Sequence, residues 1–362
     1  MKSRARTATG ALAAATLALG MTALAAPATA ADPVQVLTDG LNSPFGLVST
    51  STQGAIVAQS GAGEVTRISR SGAKTTVIDN ALGVAGVAAG DGHVYAVMGG
   101  PPPPGEEEPE QQMKAQALPE GVATYPPSSV LRTGRGGKVD VIANLLSYEL
   151  KHNPDGQVQF VDGVPPDALS NPFSMNLSHF GLLVADGGAN DVLKVNPRTG
   201  HVSTFFAPPT VKSGDVCSAD DANANRGTEG CDPVPTGVDV RGNNVYVSTL
   251  GAEAPGAGRV YKLDGRTGKV LRTWKNLDAP TGVTVSRAGN IYVSQVLSSQ
   301  ITKIAPGNKR TVAEVTTPTG IDARHGKVWV SAGSLLGPGA GEVVSVDPSA
   351  FAAAPPPPPV VN

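Results

Sequence analysis

The chain has few of the residues that mark several large classes of protein. Only two of its 362 residues are cysteine, 4% are aromatic and 16% are charged. Two cysteines allow at most one intramolecular disulfide. A formal net charge of −2 gives no electropositive surface for nucleic acid. Beyond residue 30, no apolar run approaches the ~20 residues of a membrane-spanning helix. Glycine (44 residues) and proline (31 residues) are abundant instead, which is typical of short strands joined by tight turns.

The first 30 residues have the pattern of an export signal. Three basic residues come first: Lys2, Arg4 and Arg6. An apolar run over residues 8–26 follows, and Ala28-Thr29-Ala30 is a small-x-small cleavage motif. No Arg-Arg pair precedes the run, which favours a Sec-type route over a twin-arginine route. We therefore expect a secreted chain that begins near residue 31 and has a formal charge of −5, since three basic residues are removed.

One sequence phrase recurs six times after this signal. It consists of a proline or loop residue, a small anchor residue, an alternating strand, a turn and a second strand. The anchors are Gly46, Gly86, Ser174, Gly237, Gly282 and Gly320. Where no insertion intervenes, successive anchors lie 38 to 45 residues apart, the period of a four-stranded propeller blade. The sequence therefore predicts an all-β fold, a six-bladed β-propeller that forms one domain over residues 31–350.

The two ends of the repeat array complement each other. The last repeat ends near Val346 without an outer strand, whereas Val34-Gln35-Val36-Leu37 has an outer-strand pattern and precedes the first anchor. Because an open sheet edge invites aggregation, we expect the N-terminal strand to complete the last blade and close the ring. A two-sheet sandwich is the less favoured fold, since it does not explain the period. Residues 351–362 are rich in proline and are expected to form a disordered tail.

Insertions at residues 100–128 and 212–233 account for the two long gaps between anchors. The first is rich in proline and glutamate and is expected to be disordered. The second contains Cys217 and Cys231, which we expect to form a disulfide in an exported chain. Its Asp221-x-Asn223-x-Asn225 has the spacing of the first ligands of a calcium loop, but Arg226 stands where that loop needs glycine. No cofactor is predicted, and calcium stays an open alternative.

Several segments between residues 130 and 210 share a family pattern. They are Asn144–Glu149, Asn153-Pro154-Asp155-Gly156, Ser170–Phe173, Val184-Ala185-Asp186-Gly187-Gly188-Ala189-Asn190 and Leu193–Pro197. In these segments the chain resembles the ScyD/ScyE family of exported bacterial propellers. The resemblance implies a propeller with NHL-like or SMP-30-like repeats and no established reaction. Leu169 departs from the family, whose members usually carry aspartate at that position.

The candidate ligand-binding residues lie in these segments. They are Asn153, Asp155, Asn171, Asp186 and Asn190. Propellers bind ligands in or over the central channel, where the loops that lead into the innermost strands converge. The alternative is a structural role, because Asn-Pro-Asp-Gly and Asp-Gly-Gly are turn sequences and Asn171 can cap the strand that it precedes. Three threonines occupy equivalent entry positions: Thr236, Thr281 and Thr319.

Two classes of function stay open. The favoured one is a secreted binding or scaffold propeller, whose partner is a small molecule or a protein that the sequence does not name. The other is a metal-dependent hydrolase, lactonase or lyase that acts on a small molecule. The five histidines have no ligand-like spacing, and the entry positions carry Ser, Gly, Asn and Thr. The sequence therefore predicts no metal ligand and leaves any catalytic residue unidentified.

Overall fold

The strands form six antiparallel sheets that make a six-bladed β-propeller, as predicted. The computed structural model describes residues 32–100, 125–212, 217, 230–324 and 326–353. The strands all lie in the compact unit Pro33–Asn362. The predicted signal peptide, the calcium-loop spacing at residues 221–225, most of both insertions and residues 354–362 lie outside the described residues.

The strands, numbered in chain order, begin with β1 (Val34–Leu41). Blade 1 contains β2 (Pro44–Ser49), β3 (Ala55–Gln59), β4 (Glu64–Ile68) and β5 (Lys74–Ile78). Blade 2 contains β6 (Val84–Gly90), β7 (His93–Met98), β8 (Ser129–Thr133) and β9 (Val139–Asn144), and helix α1 (Leu145–His152) follows it. Blade 3 contains β10 (Pro172–Ser178), β11 (Gly181–Asp186), β12 (Asp191–Val195) and β13 (Val202–Phe206).

The remaining blades follow the same order. Blade 4 contains β14 (Pro235–Arg241), β15 (Asn244–Thr249), β16 (Gly258–Asp264) and β17 (Val270–Leu277). Blade 5 contains β18 (Pro280–Val285), β19 (Ile291–Gln295), β20 (Gln300–Ile304) and β21 (Arg310–Glu314). Blade 6 contains β22 (Ile321–Arg324), β23 (Lys327–Ala332) and β24 (Gly341–Val346). Short 3-10 turns occupy Arg135–Gly137 and Pro348–Ala350.

Strand β1 completes blade 6 and closes the ring, as predicted. It pairs antiparallel with β24, from Val34 opposite Val346 to Leu41 opposite Gly341. The fourth strand of the last blade is thus supplied by the beginning of the chain. At the other end, β25 (Ala352–Ala353) adds a short fifth strand to blade 5 by pairing with β21.

The anchor residues lie where neighbouring innermost strands approach most closely. A Cβ atom added at Gly86 would lie 2.8 Å from the Cα atom of Ser174, and one added at Gly237 would lie 2.8 Å from that of Gly282. Real Cβ atoms do not approach other atoms so closely, so glycine is needed for this spacing. Ser174 is the exception in blade 3, and its Oγ atom accepts a hydrogen bond from the backbone N–H of Val238 at 3.1 Å.

The threonine that precedes each of the last three anchors links adjacent blades. The hydroxyl of Thr236 donates to the carbonyl of Pro280 at 2.6 Å, and Thr281 donates to Pro318 at 2.8 Å. Thr319 donates to Pro44 at 2.9 Å and so links blade 6 to blade 1. The Pro-Thr-Gly phrase of blades 4 to 6 therefore has a structural role, since each hydroxyl satisfies a carbonyl of the next blade.

The apolar core lies between the blades. Six clusters of buried side chains fill the six interfaces between adjacent blades, including the interface of blade 6 with blade 1. This distribution follows from the alternation of each strand, because both faces of every sheet are covered by a neighbour. The predicted disulfide is confirmed, since Cys217 and Cys231 are bonded and packed with Val211 and Ala257.

Candidate functional site

The propeller has two faces, and most of the predicted site residues lie on one of them. We call the face where the innermost strands begin the entry face. Because successive strands alternate in direction, the loops between second and third strands and the connections between blades also lie on the entry face. Asn153, Asp155 and Asn171 belong to the connection from blade 2 to blade 3, and Asn190 belongs to the loop between β11 and β12.

The central channel opens on the entry face as a narrow, mostly apolar mouth. Its cavity is about 50 Å³, which is room for a few water molecules. The lining consists of the anchor residues and their neighbours, with two half-buried aromatic rings, Phe45 and Phe173. Glycine, aliphatic, aromatic, serine and threonine residues make up the described lining. We call this the channel mouth.

A charged network lies at the opposite end of the channel. Arg324 contacts two buried carboxylates, with its Nε atom 3.1 Å from Asp322 Oδ1 and its Nη2 atom 3.6 Å from Asp239 Oδ1. Asp239 also accepts hydrogen bonds from Asn176 Nδ2 and from the backbone N–H of Val285. Burial raises the pKa of Asp239 to about 6, although the positive charge of Arg324 lowers it. These contacts join blades 3, 4, 5 and 6.

The network extends to blade 1 through Ser49. Both the backbone N–H and the hydroxyl of Ser49 donate to Asp322 Oδ2, at 2.8 and 2.7 Å. This network was not predicted from the sequence, although a signal was present. Asp239 and Asp322 each stand two residues after an anchor glycine, at equivalent positions of the repeat.

A second pocket lies on the entry face away from the channel, beside α1. Helix α1 begins at the cap residue Asn144, whose side chain accepts from the backbone N–H of Ser147, and its C-cap Asn153 is in the left-handed conformation. The pocket, about 20 Å³ in volume, is lined by Glu149, Asn153, Asp155, Gln157, Val158, Gln159, Pro166, Asp167, Ala168, Leu169, Gly188 and Asn190. We call it the α1 pocket.

Hydrogen bonds fix the turn that forms one wall of the α1 pocket. Asp155 Oδ1 accepts from the backbone N–H of Gln157 at 3.0 Å, and Asn153 Nδ2 donates to the backbone carbonyl of Gln157 at 2.8 Å. The Nε2 atom of Gln157 donates to Asp232 Oδ1 at 2.7 Å. Glu149 Oε1 accepts from Gln159 Nε2 at 3.2 Å. The turn chemistry foreseen for Asp155 is therefore present, and the same residues line a pocket.

Acidic side chains concentrate around the α1 pocket. Burial raises the pKa of Glu149 to about 7, against the smaller effect of the hydrogen bond from Gln159. Burial also raises the pKa of Asp155. The pKa of Asp191 is raised first by burial and then by the carboxylates of Asp186, Glu149 and Asp155. The four carboxylates thus act on one another through a buried, weakly screened region.

Asp186 and Asn171 lie together beneath this pocket. Asp186 is fully buried and accepts from the hydroxyl of Ser170 at 2.6 Å and from the backbone N–H of Asn171 at 2.7 Å. Burial raises its pKa to about 6. The side chain of Asn171 accepts from the backbone N–H of Gly100 through Oδ1 at 2.8 Å, which is a strand-capping contact with blade 2.

The structure thus brings most of the predicted site residues together. Asn153, Asp155 and Asn190 line the α1 pocket, and Asp186 lies within electrostatic reach of Glu149. Sequence reasoning missed three further members of this region: Glu149, Gln157 and Asp191. Glu149 stands in a segment that carries the family resemblance, and Asp191 directly follows Asn190, so the same segments contained the signal.

The described residues contain neither a ready-made cluster of metal-binding side chains nor a membrane-spanning helix. Within residues 32–353, as far as the structure describes them, no group of three or more His, Cys, Asp or Glu side chains has the geometry of a metal site by itself. In the same residues, no helix has the length and apolar character needed to cross a bilayer.

Comparisons with known proteins show the fold. No family model and no curated protein matches the chain. A gluconolactonase from Xanthomonas campestris has a similar structure, with a TM-score of 0.54, 11% identity, and coverage of 86% of this chain and 88% of that one. The PQQ-bound aldose sugar dehydrogenase of Streptomyces coelicolor is similar with a TM-score of 0.52, 13% identity, and coverage of 86% and 97%. A streptogramin B lyase has a TM-score of 0.50, 13% identity, and coverage of 83% and 78%.

Proposed function

We propose that this chain is an exported binding propeller, which holds an apolar or aromatic part of its ligand at the channel mouth and does not cleave it. The observation that carries the proposal is the composition of the channel mouth. Its lining offers two partly exposed aromatic rings, aliphatic side chains, hydroxyls and backbone groups. Ligand sites are mostly apolar with a few polar groups that orient the ligand, and this lining fits that description.

The ring of Phe173 is held in place by its surroundings. A Cβ atom added at Gly187 would lie 2.8 Å from Cε2 of Phe173, so glycine at that turn makes room for the ring. The same Cβ atom would lie 3.1 Å from Cγ1 of Val234. Phe173 therefore packs against the β11–β12 turn and the segment that enters blade 4. Its fixed orientation lowers the entropy that ligand binding would cost.

Exposed apolar side chains are concentrated around the same face. Within the described part of the chain, eight of the thirteen exposed large apolar side chains lie in entry-face loops: Leu82, Val158, Phe160, Val161, Val164, Leu297, Leu335 and Leu336. Exposed apolar side chains are ordinary when scattered, whereas their concentration on one face favours an interaction surface. This bias supports a ligand that covers the channel mouth and touches the surrounding loops.

A metal-dependent lactonase or lyase is the competing function. The gluconolactonase and the streptogramin B lyase have the same fold, and the carboxylates of the α1 pocket are groups that such chemistry uses. At the channel mouth itself the described lining offers no carboxylate or imidazole. We therefore favour binding over hydrolysis at this position.

The test uses the chain from residue 31 to residue 362 and a fluorescent anilinonaphthalene sulfonate dye as an apolar aromatic probe. We expect the folded protein to bind the dye, and Phe45→Ala and Phe173→Ala to weaken binding by about fivefold each, because an aromatic contact contributes roughly 1 kcal/mol.

The matched control removes exposed apolar side chains elsewhere. Val270→Ala and Leu271→Ala alter exposed residues of the outer strand β17. They should leave dye binding unchanged, and melting curves must show that every variant is folded. Equal dye binding by the phenylalanine variants would contradict the proposal. So would hydrolysis of gluconolactone by the unaltered protein with Ca²⁺, Mg²⁺, Mn²⁺ or Zn²⁺.

A further inference from the structure

Among the described residues, five buried side-chain oxygen atoms near the α1 pocket have no hydrogen-bond partner. They are Oε2 of Glu149, Oδ1 of Asn153, Oε1 of Gln157 and both carboxylate oxygens of Asp191. Glu149 is 3% exposed, Gln157 is 9% exposed and Asp191 is 0% exposed. Buried polar oxygens are almost always partnered, because burial removes the water that would otherwise bind them. Five such atoms in one small region therefore call for a hydrogen-bond donor or a cation that the described residues do not supply.

The hydrogen bonds of the neighbouring atoms show which oxygens are available. Asn153 uses Nδ2 to donate to the backbone carbonyl of Gln157, and Gln157 uses Nε2 to donate to Asp232. Each amide nitrogen thus has its acceptor, which assigns the other end of each amide as the oxygen. Glu149 uses Oε1 to accept from Gln159, which leaves Oε2. Of the buried side-chain atoms that are described in this region, those left without a partner are all oxygens.

The four side chains come from three places that the fold brings together. Glu149 lies in the last turn of α1, and Asn153 and Gln157 belong to the turn that follows. All three line the α1 pocket. Asp191 is the first residue of β12 and follows Asn190, which also lines the pocket. Among the described residues, the ion pairs involve Asp140, Asp239 and Asp322, so Glu149 and Asp191 have no cationic side chain as counter-ion.

We infer that a calcium ion binds beside α1, with Glu149, Asn153, Gln157 and Asp191 as its protein ligands. The set contains two carboxylates and two amides, and this agrees with the absence, in the described part of the chain, of three clustered His, Cys, Asp or Glu side chains. Five side-chain oxygens leave one to three positions of the usual six to eight for water or backbone carbonyls.

The chemistry of the ligands selects the ion. Carboxylate and amide oxygens are hard ligands, which suit Ca²⁺ and Mg²⁺, whereas Zn²⁺ in proteins prefers nitrogen and sulfur. Ca²⁺ accepts irregular sets of six to eight oxygens, while Mg²⁺ requires a near-ideal octahedron and keeps several of its waters. A set dominated by bulky protein ligands, two of them amides from one turn, fits the larger ion.

A calcium ion at this site would explain why the turn after α1 is ordered next to the buried carboxylates of Glu149 and Asp191. A calcium ion would join α1 and the turn that follows it to the start of β12, the third strand of blade 3. The site is separate from the channel mouth in its residues, since the two pockets share no lining residue. Calcium binding therefore does not depend on the proposed ligand function, and either can fail alone.

The experiment measures calcium binding to the intact chain, residues 31–362, after treatment with a chelator and dialysis. Titration calorimetry with CaCl₂ should show one ion per chain. Calcium at about 100 times its dissociation constant should raise the melting temperature by about 5 °C, because a ligand that binds only the folded state stabilises it by mass action. MgCl₂ at the same concentration should give a smaller shift.

The decisive variant is Asp191→Asn, which keeps the shape and removes a buried charge. Without calcium it should melt at the same temperature as the unaltered chain or higher, because repulsion with Glu149 is relieved. Its calcium affinity should fall at least tenfold, and its calcium-dependent melting shift at the same calcium concentration should fall by about half or more. Gln157→Ala provides a second variant that removes an amide ligand and no charge, so the test survives if Asp191→Asn does not fold. Asp140→Asn, at a surface ion pair, is the control and should respond to calcium normally.

Three results would overturn the inference. The first is no heat and no melting shift with CaCl₂ in the unaltered chain. The second is unchanged calcium affinity in both Asp191→Asn and Gln157→Ala. The third, an equal or larger response to MgCl₂, would contradict the assignment of calcium. Dye binding at the channel mouth is measured separately, so none of these three results tests the proposed function.

Discussion

Arg324 shows how a single residue controls the charge balance at one end of the channel. Its guanidinium lies between the carboxylates of Asp239 and Asp322, which are both buried. Burying a carboxylate without a partner is costly, so the arginine offsets a desolvation penalty that the two aspartates would otherwise carry. The backbone N–H groups of Val285 and Ser49 contribute as well, because each donates to one of the carboxylates.

The first prediction concerns Arg324→Met. At pH 7.5 we expect the free energy of unfolding to fall by about 2 kcal/mol. This is less than the loss expected for a fully buried ion pair, because Arg324 is itself partly exposed. The loss should shrink at pH 5. The pKa of Asp239 in the folded protein is about 6, above its ordinary value of 3.8. The folded state therefore takes up a proton between about pH 6 and pH 4 that the unfolded state does not, and stability from this group rises as the pH falls through that window.

Urea unfolding at the two pH values measures this effect. Arg67→Met, at an exposed arginine of β4, is the control and should have a small effect that is the same at both pH values. A loss for Arg324→Met that is equal at pH 7.5 and pH 5 would show that packing, and not charge, is the role of this residue.

Residue-level inference from the sequence succeeded where the repeat itself gave the evidence. The six anchors were identified because the same residues recur at a fixed spacing, and the structure places them at the close contacts of the innermost strands. Asp239 and Asp322 were missed because only two of the six repeats carry aspartate at that position. Arg324 lies two residues after Asp322 in β22, but its contact with Asp239 joins blade 6 to blade 4, which no local pattern encodes.

At the level of strands, the spacing of the innermost strands depends on the absence of a side chain. Gly282 in β18 lies against blade 6, where an added Cβ atom would be 2.7 Å from the carbonyl oxygen of Thr319. Thr319 is itself tied to Pro44 through its hydroxyl. The backbone that would have to move is therefore held by the next blade, and the displacement would be transmitted around the ring.

The second prediction follows from this contact. We expect Gly282→Ala to lower the free energy of unfolding by about 2 kcal/mol or more, because overpacking against fixed backbone cannot be relieved by a rotamer change. Gly307→Ala is the matched control, since a Cβ atom there meets nothing within 4 Å. It should be neutral or slightly stabilising in thermal or urea unfolding. Equal stabilities for the two variants would mean that the strands can separate without cost.

Some elements were outside the reach of sequence inference for physical reasons. Helix α1 has only eight residues, which is about two turns and too short for a clear helical period. It is stabilised by its Asn144 cap and by the side chain of Leu145, which is buried with residues of blades 2 and 3. The predicted closing strand at residues 34–37 was right but short, because β1 continues to Leu41. The convergence of Glu149 with Asp191 is a tertiary contact, so it could not be derived from spacing.

For the whole molecule, closure of the ring is the feature on which the other contacts depend. Each blade buries both faces against its neighbours, so an incomplete blade would leave two interfaces weakened. Blade 6 has three strands from the end of the chain, and β1 provides the fourth. Leu41 is fully buried in the interface between blades 6 and 1, and Val34 packs at the interface between blades 5 and 6. The N-terminal strand thus contributes to two cores as well as to one sheet.

The last prediction tests this closure by deletion. A chain that begins at residue 42 lacks β1 and should lose most of its cooperative stability, because β24 becomes an unpaired edge and the two interfaces lose Leu41 and Val34. We expect a melting temperature lower by well over 10 °C, or aggregation during purification, relative to the chain that begins at residue 31.

A chain that ends at residue 353 is the control, since the described strands end there. Added β1 peptide, residues 31–41, should restore part of the lost stability, because strand addition at β24 would re-form the same backbone ladder. A deletion variant that melts like the intact chain, and does not respond to the peptide, would show that blade 6 is stable with three strands and that the ring does not depend on its closing strand.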